Sequence, residues 1–292
     1  MNTGRFLGVL EERHTTARIE EAFPATIEAL PIRDFSAYPD VRSFRRKFAL
    51  IVPATNTSME HELWSLVFRG DGLKGVGLHT SVVLTPRPKL ETEADLLEYR
   101  RQFLSGLRTA VDAALLAQPQ CMIMGMSLEH ILNGIDEIRA PVAEMEAYSG
   151  LPWVTWHDAI EAALRRYRAK RIGILTPFDE KGNENATRMF ADLGFEVVAS
   201  FGFACANALD IAHVPDWAKE QAILELLATK GNRLDAVVQC GTNMSLIDVA
   251  ERLEPVLGIP ILGINAVTFW YALRENGFDQ PLGGAGRLFR EF

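Results

Sequence analysis

Short apolar runs alternate with longer stretches of helical spacing over most of the chain. The apolar runs predict strands at residues 48–53, 81–84, 121–124, 152–155, 171–175, 196–201, 235–239 and 260–262. The helical spacing predicts helices at residues 91–117, 135–149, 159–168, 184–193, 217–228, 245–256 and 267–276. Alternation of this kind is typical of βαβ units, in which helices cover both faces of parallel sheets. We therefore predict an α/β fold.

The pattern also repeats weakly along the chain. Strand-to-loop junctions at residues 53–56 and 176–178 are each followed by a second strand that ends in a small polar loop, at 125–127 and 240–242. The repeat predicts two similar Rossmann-like (flavodoxin-like) lobes with parallel sheets, related by pseudo-twofold symmetry. Because ligands of open α/β sheets bind outside the carboxyl ends of the strands, we expect the site in the cleft between the lobes.

The predicted lobes follow an N-terminal arm. Residues 1–45 are rich in Glu, Arg and Pro and form the arm. Residues 46–157 plus 266–292 form the first lobe, and residues 158–265 form the second. An amphipathic stretch at 19–30 would expose apolar residues in an isolated chain, so we expect the arm to make a subunit contact in a homo-oligomer.

Composition excludes several classes of function. The net charge is −8 and no basic stripe is present, so nucleic acid is not an expected partner. No apolar run is long enough to span a bilayer, which predicts a protein that does not enter membranes. The three cysteines form no CxxC pair, and no metal or dinucleotide motif is present. We expect a cytoplasmic protein whose chemistry needs neither a metal nor a cofactor.

Cys240 is the main candidate for chemistry. It follows an apolar strand and precedes a predicted helix, where backbone N–H groups and the helix dipole would lower the pKa of its thiol. Such a thiol can donate or accept a proton near neutral pH. The alternative is a buried structural cysteine. Cys121 opens a predicted core strand and Cys205 lies in a loop, and we expect structural roles for both.

Other polar residues lie at the same strand ends. Gly125 lets the backbone approach a ligand, and Ser127 offers a hydroxyl for an anionic oxygen or for a helix N-cap. The amide and hydroxyls at residues 56–58 suit carboxylate binding or capping equally. His130 and His157 are possible acids or bases, with structural or capping roles as the alternative.

Taken together, these junctions resemble the aspartate/glutamate racemase superfamily, in particular the branch that contains maleate cis-trans isomerase and arylmalonate decarboxylase. The run 51–60 resembles the opening motif of the isomerase, and the run 124–128 resembles the oxyanion loop of the decarboxylase. The similarity extends from about residue 49 to residue 289 and includes residues 176–178, 240–241, 263–265, 269–270 and 286–289.

The resemblance implies that each lobe places one reactive residue beside a small mono- or dicarboxylate. Racemases and maleate isomerase use two cysteines, whereas here the second is Cys240 and the first is replaced by Gly125, as in the decarboxylase. A cofactor-independent decarboxylase or isomerase is therefore implied, in which Cys240 protonates an enediolate held by an oxyanion pocket. The implied pocket residues are Thr55, Asn56, Gly125, Met126 through its N–H, Ser127 and Gly241.

Some positions depart from the decarboxylase pattern. Met126 replaces a threonine, and Phe178 replaces a tyrosine that both relatives carry, so two hydrogen-bond donors are missing. Asn56, Asn207 and Asn265 instead match carboxylate-binding asparagines of the isomerase. The segment 129–130 could supply the missing polar groups.

Two alternatives to a decarboxylase follow. One is a maleate-type cis-trans isomerase or racemase whose first reactive group is not a cysteine. The other is a two-lobed protein that binds and senses a carboxylate without transforming it, because bilobal α/β architecture serves binding as well as catalysis.

Overall fold

The computed structural model describes residues 38–69, 71–84, 93–129, 132, 134–229 and 231–292. The strands are β1 Arg46–Pro53, β2 Val76–Val83, β3 Cys121–Met124, β4 Trp153–Val154, β5 Arg171–Thr176, β6 Glu196–Gly202, β7 Ala236–Gln239 and β8 Ile261–Gly263. The helices are α1 Met59–Phe68, α2 Glu93–Leu115, α3 Ile135–Ser149, α4 Trp156–Arg166, α5 Glu180–Asp192, α6 Asp216–Gln221, α7 Ile247–Leu257, α8 Ile264–Glu275 and α9 Arg287–Glu291. The amphipathic stretch at 19–30 and the candidate acid or base His130 lie outside the described residues.

The strands form two four-stranded sheets with the same internal order. The first sheet runs β2-β1-β3-β4 and the second runs β6-β5-β7-β8, and every strand pair is parallel. Parallel strands require crossover connections, which the helical segments between them provide. The prediction of two similar parallel α/β lobes is confirmed.

The central strands are buried on both faces. Phe48–Val52 of β1 is almost completely inaccessible, and so are all four residues of β3 and of β7. Strands covered by helices on both sides need such continuous apolar runs, which explains why the sequence pattern located them well. Phe269 of α8 packs edge-on against Phe48, with ring centroids 6.2 Å apart.

Helix α8 begins directly after β8 and returns toward the first sheet. It packs against α4 and α1 and reaches β3 and β4. This path agrees with the assignment of residues 266–292 to the first lobe, although the exact lobe boundaries stay a prediction.

Several segments differ from the sequence-based assignment. The strand predicted at 81–84 is the longer β2, which begins at Val76, and the helix predicted at 184–193 is α5, which begins at Glu180. The segment 217–228, predicted as one helix, is the short helix α6 followed by a π-helical turn at Ala222–Leu227. The helix predicted at 245–256 begins later, as α7 at Ile247. Within the described part of the chain, no helix combines the length and the apolar character needed to cross a membrane.

Candidate active site

Gly125 and Cys240 occupy equivalent places in the two lobes. Each is the first residue after the third strand of its lobe. The N–H of Gly125 donates to the carbonyl of Ile51 in β1 at 2.7 Å, and the N–H of Cys240 donates to the carbonyl of Leu175 in β5 at 2.9 Å. The two lobes therefore present a glycine and a cysteine at matching positions.

Gly125 has no space for a side chain. A Cβ atom built there would lie 2.6 Å from Val52 Cγ1 and 2.8 Å from the backbone oxygen of Ile51. Both distances are shorter than real Cβ contacts, and the second involves a backbone atom of the same sheet. A cysteine at this place would require the strand or loop to move.

Hydrogen bonds join the loops that follow β1, β3 and β7. Asn56 Nδ2 donates to Thr242 Oγ1 at 2.9 Å, and the Thr242 hydroxyl donates to the carbonyl of Gly125 at 3.1 Å. Thr242 thus bridges two loops of the first lobe from the loop that carries Cys240. The predicted convergence of these loops is present in the structure.

Asn243 adds further bonds between the lobes. Its Oδ1 accepts from the N–H of Thr57 at 2.9 Å, and its Nδ2 donates to the carbonyl of Thr55 at 3.0 Å and to that of Ala208. The carbonyl of Asn243 accepts from Ser58 Oγ at 2.8 Å. One asparagine therefore holds the loop 55–58 against the second lobe.

The fourth loop, after β5, lies against Gly241. Gly241 has φ +91°, and a Cβ atom there would lie 2.6 Å from Pro177 Cγ. Both the backbone conformation and the space therefore require glycine. The neighbouring Phe178 is buried and lines a cavity of about 680 Å³ formed by residues of the second lobe, and Cys240 is not among its lining residues.

The Cys240 thiol is completely buried, which corrects the expectation of a lowered pKa. Burial raises its pKa well above the ordinary value for cysteine, and the charge of Glu129 raises it further. The thiol is therefore protonated at neutral pH. In this state it can give a proton but is a poor nucleophile.

The helix after Cys240 does not act on the thiol because its N-terminus is already used. Glu62 of α1 accepts from the N–H groups of Leu246 and Ile247 at 2.8 and 3.0 Å. The positive end of the α7 dipole is thus directed at a carboxylate of the first lobe. Gln239 fixes the loop that begins with Cys240, because its Nε2 donates to the carbonyls of Cys240 and Gly241.

Glu129 is a buried acid whose charge raises the pKa of the Cys240 thiol. Its side chain is fully inaccessible, Oε2 accepts from the Trp156 indole N–H at 3.1 Å, and Oε1 has no hydrogen-bond partner among the described residues. Burial raises its pKa to about 7, while the hydrogen bond from Trp156 acts in the opposite direction. Glu129 can therefore exist in both protonation states near neutral pH.

Ser127 and Met126 lie in the loop between β3 and α3. Among the described residues, the next helix after Ser127 is α3, which begins at Ile135 with Gly134 as its N-cap residue. The Ser127 hydroxyl oxygen is buried and has no hydrogen-bond partner among the described residues, and Met126 is buried beside it in sequence. An unpaired buried hydroxyl is costly, which makes Ser127 a good candidate donor to an anionic ligand.

The three asparagines are all engaged by protein atoms. Asn56 Oδ1 accepts from the N–H of Met59, the first residue of α1, at 3.0 Å. Asn265 Nδ2 donates to Glu62 Oε2 at 2.7 Å and to the carbonyl of Thr242, whereas its Oδ1 is buried without a partner among the described residues. Asn207 is exposed, and its Oδ1 accepts from the N–H groups of Leu209 and Asp210 at the start of the short 3-10 helix Asp210–His213. Its neighbour Ala208 accepts from Asn243 Nδ2 at 3.0 Å, so Asn207 lies beside the loops that meet, and its role in binding stays a prediction.

His157 is buried in the first turn of α4. Burial lowers its pKa to about 4, partly offset by Asp158, so the imidazole is neutral at physiological pH. The helix is capped by Thr155, whose Oγ1 accepts from the N–H of Asp158, and not by His157. Cys121 is buried in β3, and Cys205 is partly exposed in a loop.

Three residues that matter for the site were not identified from sequence as site residues. Their signal is weak because each acts through tertiary contacts: Glu62, Gln239 and Asn243. The available clue was a polar residue within an apolar strand for Gln239, and a polar residue on the apolar face of a helix for Glu62. Across the described residues, no group of three or more His, Cys, Asp and Glu side chains is arranged to hold a metal ion.

Comparison with known proteins gives three related findings. The chain is 23% identical over 252 residues to maleate isomerase of Nocardia farcinica, which covers 84% of this chain and 96% of the relative. It is 24% identical over 170 residues to arylmalonate decarboxylase of Bordetella bronchiseptica, which covers 58% of this chain and 70% of the relative. The solved structure of the Nocardia maleate cis-trans isomerase bound to TRIS has a TM-score of 0.71 at 22% identity, covering 84% of this chain and 98% of that one.

A family model described as arylmalonate decarboxylase matches residues 109–289. This range includes both Gly125 and Cys240 and extends from α2 to α9. Because the match covers more than half of the sequence, the chain belongs to the arylmalonate decarboxylase family.

Proposed function

We propose that this protein is a cofactor-independent enzyme that removes carbon dioxide from a small substituted malonate-type dicarboxylate. In this proposal the substrate loses one carboxylate, the remaining enediolate is held by donors of the loops after β1 and β3, and Cys240 protonates its α-carbon. Ser127 is the best-placed donor because its hydroxyl is buried and unpaired among the described residues.

The observation that carries the proposal is the glycine and cysteine pair at equivalent strand ends. The Gly125 and Cys240 N–H groups bond to matching positions of β1 and β5, yet only Cys240 offers a proton. Racemisation between two thiols needs a thiol at both places. Decarboxylation with protonation from one side needs only one.

The state of the thiol supports the same reaction. A thiol whose pKa lies well above its ordinary value is protonated at neutral pH and can act as an acid without prior activation. A covalent mechanism would require the thiolate. The Nocardia maleate cis-trans isomerase has been solved as a mutant with a covalently bound succinylcysteine intermediate, and a raised thiol pKa makes that route harder here.

Substrate entry requires the loops over Cys240 to separate. The bonds to be broken run from Asn56 to Thr242 and from Asn243 to Thr55 and Thr57. Alkylation of Cys240 by iodoacetamide, followed by mass spectrometry, reports whether the thiol becomes accessible in solution. A substrate analogue that closes the lobes should slow this modification.

The test of the activity is turnover in D2O of a panel of substituted malonates, with maleate and free amino acids as comparisons, followed by NMR. We expect carbon dioxide release and one deuterium at the α-carbon with a malonate, and no turnover by Cys240→Ala. Turnover of maleate without carbon dioxide release would instead establish a cis-trans isomerase, and racemisation of an amino acid would establish a racemase. Binding without any turnover, retained in Cys240→Ser, would identify a carboxylate sensor.

A further inference from the structure

We infer that Glu62 is a positioning residue for Cys240, because its carboxylate fixes, through Asn265 and Thr242, the loop that presents the thiol. This role rests on the proposed function and deepens it, since it places the proton donor of the second lobe under the control of a helix of the first. Glu62 acts through other residues and needs no contact with the substrate.

Side-chain amides fix the carbonyl groups of the loop after β7. Gln239 Nε2 donates to the carbonyl of Cys240 and, at 2.8 Å, to that of Gly241. Asn265 Nδ2 donates to the carbonyl of Thr242 at 2.9 Å. The loop therefore takes its position from two amide side chains, and Asn265 holds the end that lies farther along the chain.

The Asn265 amide is oriented by Glu62. Asn265 is buried at the start of α8, and its Nδ2 also donates to Glu62 Oε2 at 2.7 Å. Both partners of this nitrogen are acceptors, so turning the amide over would place Oδ1 against two oxygens. The carboxylate of Glu62 therefore selects the orientation in which Asn265 donates to Thr242.

The two oxygens of Glu62 have separate tasks. Oε1 accepts from the N–H groups of Leu246 and Ile247 at the start of α7. Oε2 accepts from Asn265. A substitution that keeps the first set of bonds and loses the second can therefore separate support of α7 from control of the Cys240 loop.

Thr242 connects this chain of bonds to the site. Its hydroxyl donates to the carbonyl of Gly125 at 3.1 Å and accepts from Asn56 Nδ2 at 2.9 Å. Cys240 lies two residues before it, so a shift of Thr242 moves the thiol relative to the loops that hold the enediolate in the proposed function. A displacement of about 1 Å at a reacting group can cost about 100-fold in rate.

The kinetic test is Glu62→Gln. A glutamine oxygen can still accept from the α7 N–H groups, but its Nε2 then faces Asn265 Nδ2, donor against donor. With a malonate that the wild type decarboxylates, we expect kcat to fall about 10–100-fold and KM to change less than about 3-fold, because the proton donor moves while the groups that bind the substrate remain.

The solvent isotope effect separates misplacement from loss of folded protein. In Glu62→Gln the ratio of kcat in H2O to kcat in D2O should rise, because proton donation by the displaced thiol becomes slower relative to C–C bond cleavage. A purely structural role would lower both rates equally and leave this ratio unchanged, which would overturn the inference. So would a kcat equal to that of wild type.

Asp248→Asn is the matched control. Asp248 lies in the first turn of α7, and its Oδ1 accepts from Arg69, directly after α1, at 2.7 Å. The pair joins the same two helices as Glu62, but among the described residues Asp248 has no hydrogen bond to Asn265 or Thr242. We expect its kcat to stay within about 2-fold of wild type. An equal loss of kcat in Asp248→Asn and Glu62→Gln would overturn the inference.

A second test does not depend on turnover. Alkylation of Cys240 by iodoacetamide, followed by peptide mass spectrometry, should be about tenfold faster in Glu62→Gln than in wild type or Asp248→Asn, because a bond to a charged group no longer opposes local opening of the loop. Cys121 is buried in β3 and serves as the internal reference, whose modification should not change.

The two proposals fail separately. If no compound is turned over but alkylation of Cys240 accelerates in Glu62→Gln alone, the proposed function is wrong and control of the loop by Glu62 stands. If a malonate is decarboxylated and Glu62→Gln matches wild type in kcat, isotope ratio and alkylation, the positioning role is wrong and the proposed function stands.

Discussion

Replacement of Glu129 by glutamine should make the protein more stable at alkaline pH. Glu129 has an ordinary pKa of 4.5 when exposed and a pKa of about 7 in the folded protein, because burial disfavours its charge. A carboxyl group whose pKa is raised by folding makes its full contribution to stability at pH values below its pKa in the unfolded chain. This contribution is lost as the pH rises through its pKa in the folded protein. The relevant window is therefore from about pH 4.5 to about pH 7.

The magnitude follows from the same two values. Each pH unit between them corresponds to 1.36 kcal/mol, so ionisation of Glu129 costs the folded state about 3 kcal/mol at pH 8. Glutamine resembles the protonated acid and pays no such cost. We expect the free energy of unfolding of Glu129→Gln to equal that of wild type near pH 4.5 and to exceed it by about 3 kcal/mol at pH 8.

The assay is urea unfolding of both proteins at a series of pH values, with the difference in unfolding free energy plotted against pH. The difference isolates Glu129 from other titrating groups, including His157, whose lowered pKa gives the opposite dependence over part of the same range. A variant that is less stable than wild type at every pH, or a difference that does not change with pH, would refute the argument.

Three further predictions follow from the packing. Gly125→Cys should lower the unfolding free energy by about 1–3 kcal/mol, because its Cβ would clash with Val52 and the backbone of β1; chemical denaturation measures this, and Gly125→Cys with full wild-type stability would contradict it. Glu62→Ala should destabilise by about 3 kcal/mol by leaving the N-terminal N–H groups of α7 unpaired, whereas Glu62→Gln should cost less because its amide oxygen still accepts both. The wild type should lose stability as the pH falls from 6.5 to about 4, because the unfolded histidine binds a proton that the buried histidine excludes. His157→Gln should abolish this loss, and a plot of its unfolding free energy against pH that runs parallel to wild type would contradict the prediction.

The sequence pattern predicted the sheet architecture because the central strands are buried on both faces. Cys121–Met124 and Ile135–Ser149 have the predicted bounds to the residue, the latter because Gly150 adopts the left-handed conformation that ends the helix. The start of α7 was placed too early because nothing in the local sequence shows that its first amides bind Glu62. The boundary is therefore set by tertiary hydrogen bonds to Glu62 and not by local helix propensity.

The same reason explains which parts of the site could be predicted. Parallel strands place their carboxyl ends together, so the meeting of the Gly125 and Cys240 loops follows from topology. The acidity of Cys240 does not, because it depends on burial and on Glu129, which is distant in sequence. The local rule that a helix N-terminus lowers a thiol pKa gave the wrong direction, since the helix dipole is directed at Glu62.

The bond from Thr242 to Gly125 and the protonation of the Cys240 thiol are physically connected. The Thr242 hydroxyl donates to the carbonyl of Gly125 and so holds the loop that carries Cys240 against the first lobe. This closure removes water from the thiol, which raises its pKa and keeps it protonated as an acid. The same closure would leave a buried thiolate after the proton is given, which is costly, so we expect the loops to separate before the thiol is protonated again.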